Sequence, residues 1–127
     1  MQDQQSAIEL LLDRYEDPSY RGVLPSPPAL TATETNPRCG DVVTVFVQLR
    51  GNVVHHAAFQ GSGCTLSQAA ADIAMELAEG RTVAEAARLD AQTVLDRVGT
   101  RAITTRHDCV ALATRALRRA LAGAGLG

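Results

Sequence analysis

Three cysteines, Cys39, Cys64 and Cys109, carry most of the chemistry open to this chain of 127 residues. A thiolate is both a nucleophile and a soft metal ligand, so each is a buried inert thiol, a reactive thiolate or a ligand. All three stand at junctions between elements, not within an apolar stripe, where an inert core thiol is expected. Cys39 lies in Asn36-Pro37-Arg38-Cys39-Gly40-Asp41, a turn sequence whose proline fixes φ and whose glycine permits a sharp bend. That loop is expected to present its thiol outward. Cys64 ends Gly61-Ser62-Gly63, a flexible approach to a helix N-terminus whose dipole favours thiolate. Cys109 falls in the first turn of the last helix, in the same kind of field, with Arg106 close in sequence.

No two of these cysteines form a Cys-x-x-Cys pair, which excludes a ribbon or finger wrapped locally around zinc. A fold must gather them from distant segments. If it does, three thiolates and one oxygen or nitrogen ligand make a tetrahedral site suited to zinc or to an iron-sulfur cluster. A cysteine hydrolase is the competing enzyme reading, with Cys64 at a strand-to-helix turn and His55, His56 and His107 elsewhere. Thr65 and Leu66 follow Cys64 where a nucleophile elbow wants small residues, so the elbow is incomplete. Neighbours on a strand point to opposite faces, so one of His55 and His56 is expected exposed and the other packed.

The elements that must position these thiols follow from patterning. Ser6-Ala7-Ile8-Glu9 has the form of a capping box, and Ile8, Leu11, Leu12 and Tyr15 share a helical face, predicting a helix over 6–15. Four of the five prolines fall between Pro18 and Pro28, an irregular connection. Strands are expected over 29–35, 42–49 and 53–59, the last two a hairpin turned at Arg50-Gly51-Asn52. Leu66, Ala69, Ala70, Ile73, Leu77 and Ala78 then recur at helical spacing until Gly80. Thr82-Val83-Ala84-Glu85 is a second capping box opening a short helix through Arg88, and 90–97 holds a further turn or two. The last helix begins near Thr105, with Val110, Ala113, Leu117, Ala120 and Leu121 on one face and Arg115, Arg118 and Arg119 on a solvated one. Strands grouped before helices argue for an α+β fold, a small three-stranded antiparallel sheet with helices packed on one face.

Composition narrows the function. The length fits a single domain over 1–127, and with no Trp, two Tyr and two Phe the core is built from Ala, Val, Leu and Ile. All 12 basic residues are arginine, which excludes a Schiff-base lysine and a phosphate-loop lysine. A net charge of −2 and the scarcity of aromatic residues argue against a nucleic-acid partner. No apolar stretch is long enough to span a membrane, so no membrane partner is expected. No basic residue precedes the first short apolar stretch, so the N-terminus does not read as a secretory signal and the expected location is cytoplasmic, with reduced thiols.

Asn36-Pro37-x-Cys39-Gly40-Asp41, Phe59-x-Gly61-x-Gly63-Cys64-x-x-Ser67-x-Ala69 and Arg106-x-x-Cys109-x-x-Leu112 with Ala116-Leu117 follow in order. Together with Tyr15-x-x-Pro18 and Gly22 they resemble the IscU/SufU/NifU N-terminal family of iron-sulfur assembly proteins, from about Leu11 to Ala122. The resemblance implies a scaffold that accepts sulfur from a cysteine desulfurase, binds iron, builds a transient [2Fe-2S] cluster and passes it to apo-proteins or carrier proteins. It places cluster and metal ligation on Cys39, Cys64 and Cys109, adds Asp41 as an oxygen ligand that keeps the cluster labile, and makes Cys109 the candidate persulfide acceptor. Zinc is implied as an alternative occupant of the same site. Scaffolds of the IscU kind carry histidine immediately before the last cysteine, whereas Asp108 stands there in this chain and His107 precedes it. The fourth ligand is therefore open among Asp41, His107 and Asp108. The early motifs are more similar to SufU, a zinc-dependent sulfur acceptor that stimulates a desulfurase, but the long SufU insertion before the third cysteine is missing.

Overall fold

A computed structural model describes residues 4–38, 40–98 and 107–124. The order is α1 (Gln4–Glu16), β1 (Leu30–Asn36), β2 (Asp41–Arg50), β3 (Val53–Ser62), α2 (Thr65–Ala78), α3 (Val83–Ala87), α4 (Ala91–Val98) and α5 (His107–Ala122). The strands form one antiparallel sheet in the order β1-β2-β3. This is the α+β arrangement expected from the grouping of strands before helices.

Central strand β2 alternates cleanly. Asp41, Val43, Val45 and Val47 are buried, while Val42, Thr44, Phe46 and Gln48 are only half-covered on the opposite face. On the buried side, α5 covers β1 and β2, α2 covers β3, and the two helices pack against each other. Both helices bury small residues, Ala69, Ala70 and Ala74 on α2 and Ala113 and Ala116 on α5. Helix α3 opens on the expected capping box: the Thr82 hydroxyl accepts from the Glu85 N–H, and the Glu85 carboxylate accepts from the Thr82 N–H.

Three expectations change. Strand β3 continues past Phe59 through Gly61 to Ser62, so most of the glycine segment before Cys64 is sheet. Gly61 permits this, because a Cβ there would lie 2.3 Å from the Val42 carbonyl oxygen. Secondly, His55 is the extra residue of a bulge, with Gln48 paired to His56 and Leu49 to Val54. The bulge breaks the alternation, so neither histidine is packed in the core and their ring centroids lie 4.1 Å apart. Thirdly, α1 lies on α2, and its contact stripe is narrow: Leu11 is buried, whereas Ile8, Leu12 and Tyr15 are exposed.

Polar contacts hold α1 and the proline-rich connection to α2. Asp72, fully buried, accepts from Arg14 Nη1 at 2.9 Å and from the Tyr20 N–H at 2.7 Å. Glu76 accepts from the other Arg14 nitrogen and from Arg97 at 2.9 Å. Tyr20 and Gly22 then bond the backbone of Phe59, laying the connection along the free edge of β3.

Replacing Asp72 by alanine leaves the Tyr20 N–H and part of the Arg14 guanidinium without their buried acceptor, an expected loss of about 3 kcal/mol measurable by urea denaturation. Partial burial pushes the Glu76 carboxyl up, but the hydrogen bonds from Arg14 and Arg97 outweigh it and hold the group below its ordinary value of 4.5. A carboxyl depressed in the folded state stabilises above its unfolded value and loses that contribution as pH falls through the folded one. Glu76→Gln is therefore expected to lower the melting temperature near neutrality, where the charged carboxylate contributes fully, and to flatten the acid limb below about pH 4.5, where wild type and variant converge.

Candidate metal centre

The site forms where three segments meet at one end of the sheet. Asp41 is the first residue of β2 and only 1% exposed, its side chain turned to the helix-covered face like Val43 after it. Cys64 is the N-cap of α2, with φ −70° and ψ 159°, and its sulfur accepts from the Ser67 N–H at 3.4 Å. Cys109 lies in the first turn of α5 and is 3% exposed, heading the stripe continued by Leu112, Ala113 and Ala116. It is thus more buried than a junction position led one to expect.

The Asp41 carboxylate ties these elements together. Its Oδ1 accepts from the Cys64 N–H at 2.9 Å, and its Oδ2 lies 3.7 Å from Cys64 Sγ and 3.2 Å from Cys109 Sγ. One oxygen of Asp41 and the two sulfurs lie within 4.8 Å of one another. Cys64 caps the N-terminus of α2 and Cys109 lies in the first turn of α5, so the positive dipole ends of two helices favour negative charge there. Two soft sulfur donors and one hard oxygen make a set that fits zinc or iron.

Cys39 lies outside the described residues, as do Thr105, Arg106 and the His107 side chain. The turn that carries Cys39 is anchored on both sides: the Gly40 N–H donates to the Asn36 carbonyl at 2.8 Å and the Arg38 N–H to Asn36 Oδ1 at 3.2 Å. Asp108 is exposed, and its carbonyl accepts from Arg115.

Sequence reasoning named three supporting residues in motifs but missed their contacts. Gly63, read as a flexible spacer, has φ +138°, and a Cβ there would lie 2.1 Å from Asp41 Oδ1. Ser67 donates its hydroxyl to the Cys64 carbonyl at 3.0 Å and accepts from Gln68 Nε2 at 3.0 Å, both residues being buried. Asn36 directs its amide nitrogen at Cys109 Sγ, 3.7 Å away. All three stand in the cysteine motifs, Ser67 as a capping or turn residue and Asn36 at the start of the Cys39 turn, but the motifs do not say what these side chains touch.

Fold and site together define a small α+β protein with a buried thiol–carboxylate centre between two helix N-termini. The chain belongs to the family described as the NifU-like N terminal domain, which it matches over residues 7–123. It is 31% identical over 111 residues to the iron-sulfur cluster assembly scaffold protein IscU 1 of Archaeoglobus fulgidus, covering 87% of this chain and 71% of that one. The zinc-dependent sulfurtransferase SufU of Bacillus subtilis is 31% identical over 75 residues, 59% of this chain and 50% of that one. The solved N-terminal structure of a NifU-like protein from Brucella abortus superposes with a TM-score of 0.75 at 21% identity, covering 94% of this chain and 96% of that one. That likeness concerns the fold.

Gly63→Ala is expected to push the Asp41 carboxylate out of place and cost about 2 kcal/mol or more in thermal or urea unfolding. Gly40→Ala serves as the comparison: φ is +71° but a Cβ there meets nothing within 4 Å, so only backbone strain of about 1 kcal/mol is expected. Equal losses for the two would remove the special role of Gly63.

Proposed function

We propose that this chain is an iron-sulfur cluster assembly scaffold, with Cys39, Cys64, Cys109 and Asp41 as the residues that hold iron and sulfide while a [2Fe-2S] cluster forms. The observation that carries this reading is the meeting of Asp41, Cys64 and Cys109, from three separate elements, within 4.8 Å. The family match and the scaffold function named for the Archaeoglobus relative support it. Sulfur comes from a cysteine desulfurase. The acceptor thiolate, for which Cys109 is the candidate, attacks the outer sulfur of the donor's persulfide; a new S–S bond forms and the donor thiolate leaves. Since Cys109 is 3% exposed, that step requires the start of α5 to open. Each sulfur then needs two electrons to become sulfide, one from a ferrous ion that becomes ferric and one from an external dithiol or ferredoxin-class reductant. Asp41 supplies a hard oxygen among soft sulfurs, a weaker and more exchangeable ligand suited to releasing the cluster to apo-proteins or carrier proteins.

A second reading has its own support. Asp108 stands immediately before Cys109 in place of a histidine, the same donors suit zinc, and the Bacillus relative is named as a zinc-dependent sulfurtransferase. In that reading the chain holds zinc and accepts sulfur to accelerate a desulfurase. Both readings place it as one domain acting in the cytoplasm. The match over residues 7–123 supports the first part, and among the described residues no helix is long and apolar enough to cross a membrane.

The deciding experiment is anaerobic incubation with a cysteine desulfurase, cysteine, ferrous iron and a dithiol, followed by visible absorption, with Cys39→Ser as control. Sulfide-to-iron charge-transfer bands in the wild type alone are expected. No bands, with one zinc retained and faster desulfurase turnover, would replace the scaffold by the sulfur acceptor. Cys39→Ser, Cys64→Ser and Cys109→Ser are each expected to lower metal stoichiometry, and unchanged binding in all three would remove both readings. Asp41→Ala is expected to slow cluster loss, monitored as decay of the same bands.

A further inference from the structure

Asn36 is the last residue of β1, paired with Asp41 across the ladder, and only 6% exposed. Its groups are divided between two elements. The carbonyl accepts from the Gly40 N–H at 2.8 Å, and side-chain Oδ1 accepts from the Arg38 N–H at 3.2 Å, closing the turn that contains Cys39. With Oδ1 committed to the turn, the planar amide aims Nδ2 away from it, to within 3.7 Å of Cys109 Sγ on α5. Asp41 Oδ2 touches the same sulfur at 3.2 Å. Cys109 Sγ is thereby held between a carboxylate and an amide donor.

We propose that Asn36 is a positioning residue that fixes Cys109 Sγ beside Asp41 from the end of β1, so that the Cys109 thiol is held in place to ligate the metal. The proposal rests on the metal-centre reading given above. Side-chain chemistry explains why asparagine serves here. Serine or aspartate can close the same turn through an oxygen acceptor. Serine is too short to reach Cys109, and aspartate would place a second carboxylate beside Asp41 with no donor for the sulfur. Asparagine supplies the acceptor and the donor from one rigid plane. Groups behind metal ligands of this kind typically change affinity by about 10- to 100-fold when removed.

The test compares wild type, Asn36→Ser and Asn36→Asp, each purified as full chain without metal and titrated anaerobically with cobalt(II). Both variants keep the turn acceptor, so Asn36→Ser is expected to lose only the amide–sulfur contact and melt slightly below the wild type without metal, whereas Asn36→Asp, which adds a carboxylate beside buried Asp41, is expected to melt lower. Thiolate-to-cobalt charge-transfer intensity per bound cobalt is expected to fall by about one third, as one thiolate of three is lost, with affinity about 10- to 100-fold weaker. A purely structural role would not change the intensity of the cobalt that is bound. Full intensity and affinity in both variants would overturn the proposal. A metal-free cycle tests the contact separately: the melting-temperature shifts of Asn36→Ser and Cys109→Ala are expected not to add, and strict additivity would overturn it. Absence of cobalt uptake by the wild type would remove the metal-centre reading, and the metal-free cycle would then decide the Asn36–Cys109 contact alone.

Discussion

The buried face of β2 is the constraint from which the rest follows. Val43, Val45 and Val47 are fully buried and sit on a sheet of three strands, too narrow to cover itself. Two helices must lie over it, and both run the same way. The C-terminal end of α2 returns its chain to Val54, while Gly123 after α5 approaches Leu30, at the end of the sheet remote from Asp41. Both helices therefore begin at the Asp41 end, and Cys64 and Cys109, near their starts, are delivered to one place. The apolar demand of the strand thus determines where the polar chemistry is assembled.

A carboxylate almost wholly removed from water needs partners, and Asp41 has them in the Cys64 N–H and the two thiols. Close backbone approach makes this possible. Gly61 lets β3 pass the Val42 carbonyl, and Gly63 leaves room for the carboxylate itself. The same arrangement suits metal or cluster chemistry: helix N-termini stabilise thiolates, while the carboxylate contributes a harder, more exchangeable donor. The outer layer has a different task. Asp72 and Glu76 bind α1 through Arg14, and Asp72 binds the proline-rich connection through the Tyr20 N–H, which holds both to the back of the helix whose N-cap is Cys64.

Much of this was legible from patterning. The period of α2, the hairpin at Gly51-Asn52 and the capping box at Thr82–Glu85 are local signals, in which neighbours in sequence are neighbours in space. Reading failed where a distant segment overrode the local signal. Gly61 and Ser62 looked like loop but pair with β2, His55 enters a bulge that no propensity announces, and Ile8, Leu12 and Tyr15 share a face that α2 does not cover. At the site, Cys64, Cys109 and Asp41 were conspicuous by residue type and by family motif. Asn36, Gly63 and Ser67 stood in the same motifs, but what they do was not legible, because their roles are contacts with residues distant in sequence or packed around the site.

Residue order alone therefore specifies the α+β class, the main elements, the thiols and carboxylate available for chemistry, and the family to which the motifs point, since each depends on local periodicity or on motif spacing. That Asp41 is buried, that its oxygen and two sulfurs lie within 4.8 Å, and that Asn36 reaches from the turn to Cys109 depend on long-range packing. Such contacts join residues up to 73 positions apart, and their geometry follows from how two helices cover one strand, which no local stretch of sequence encodes.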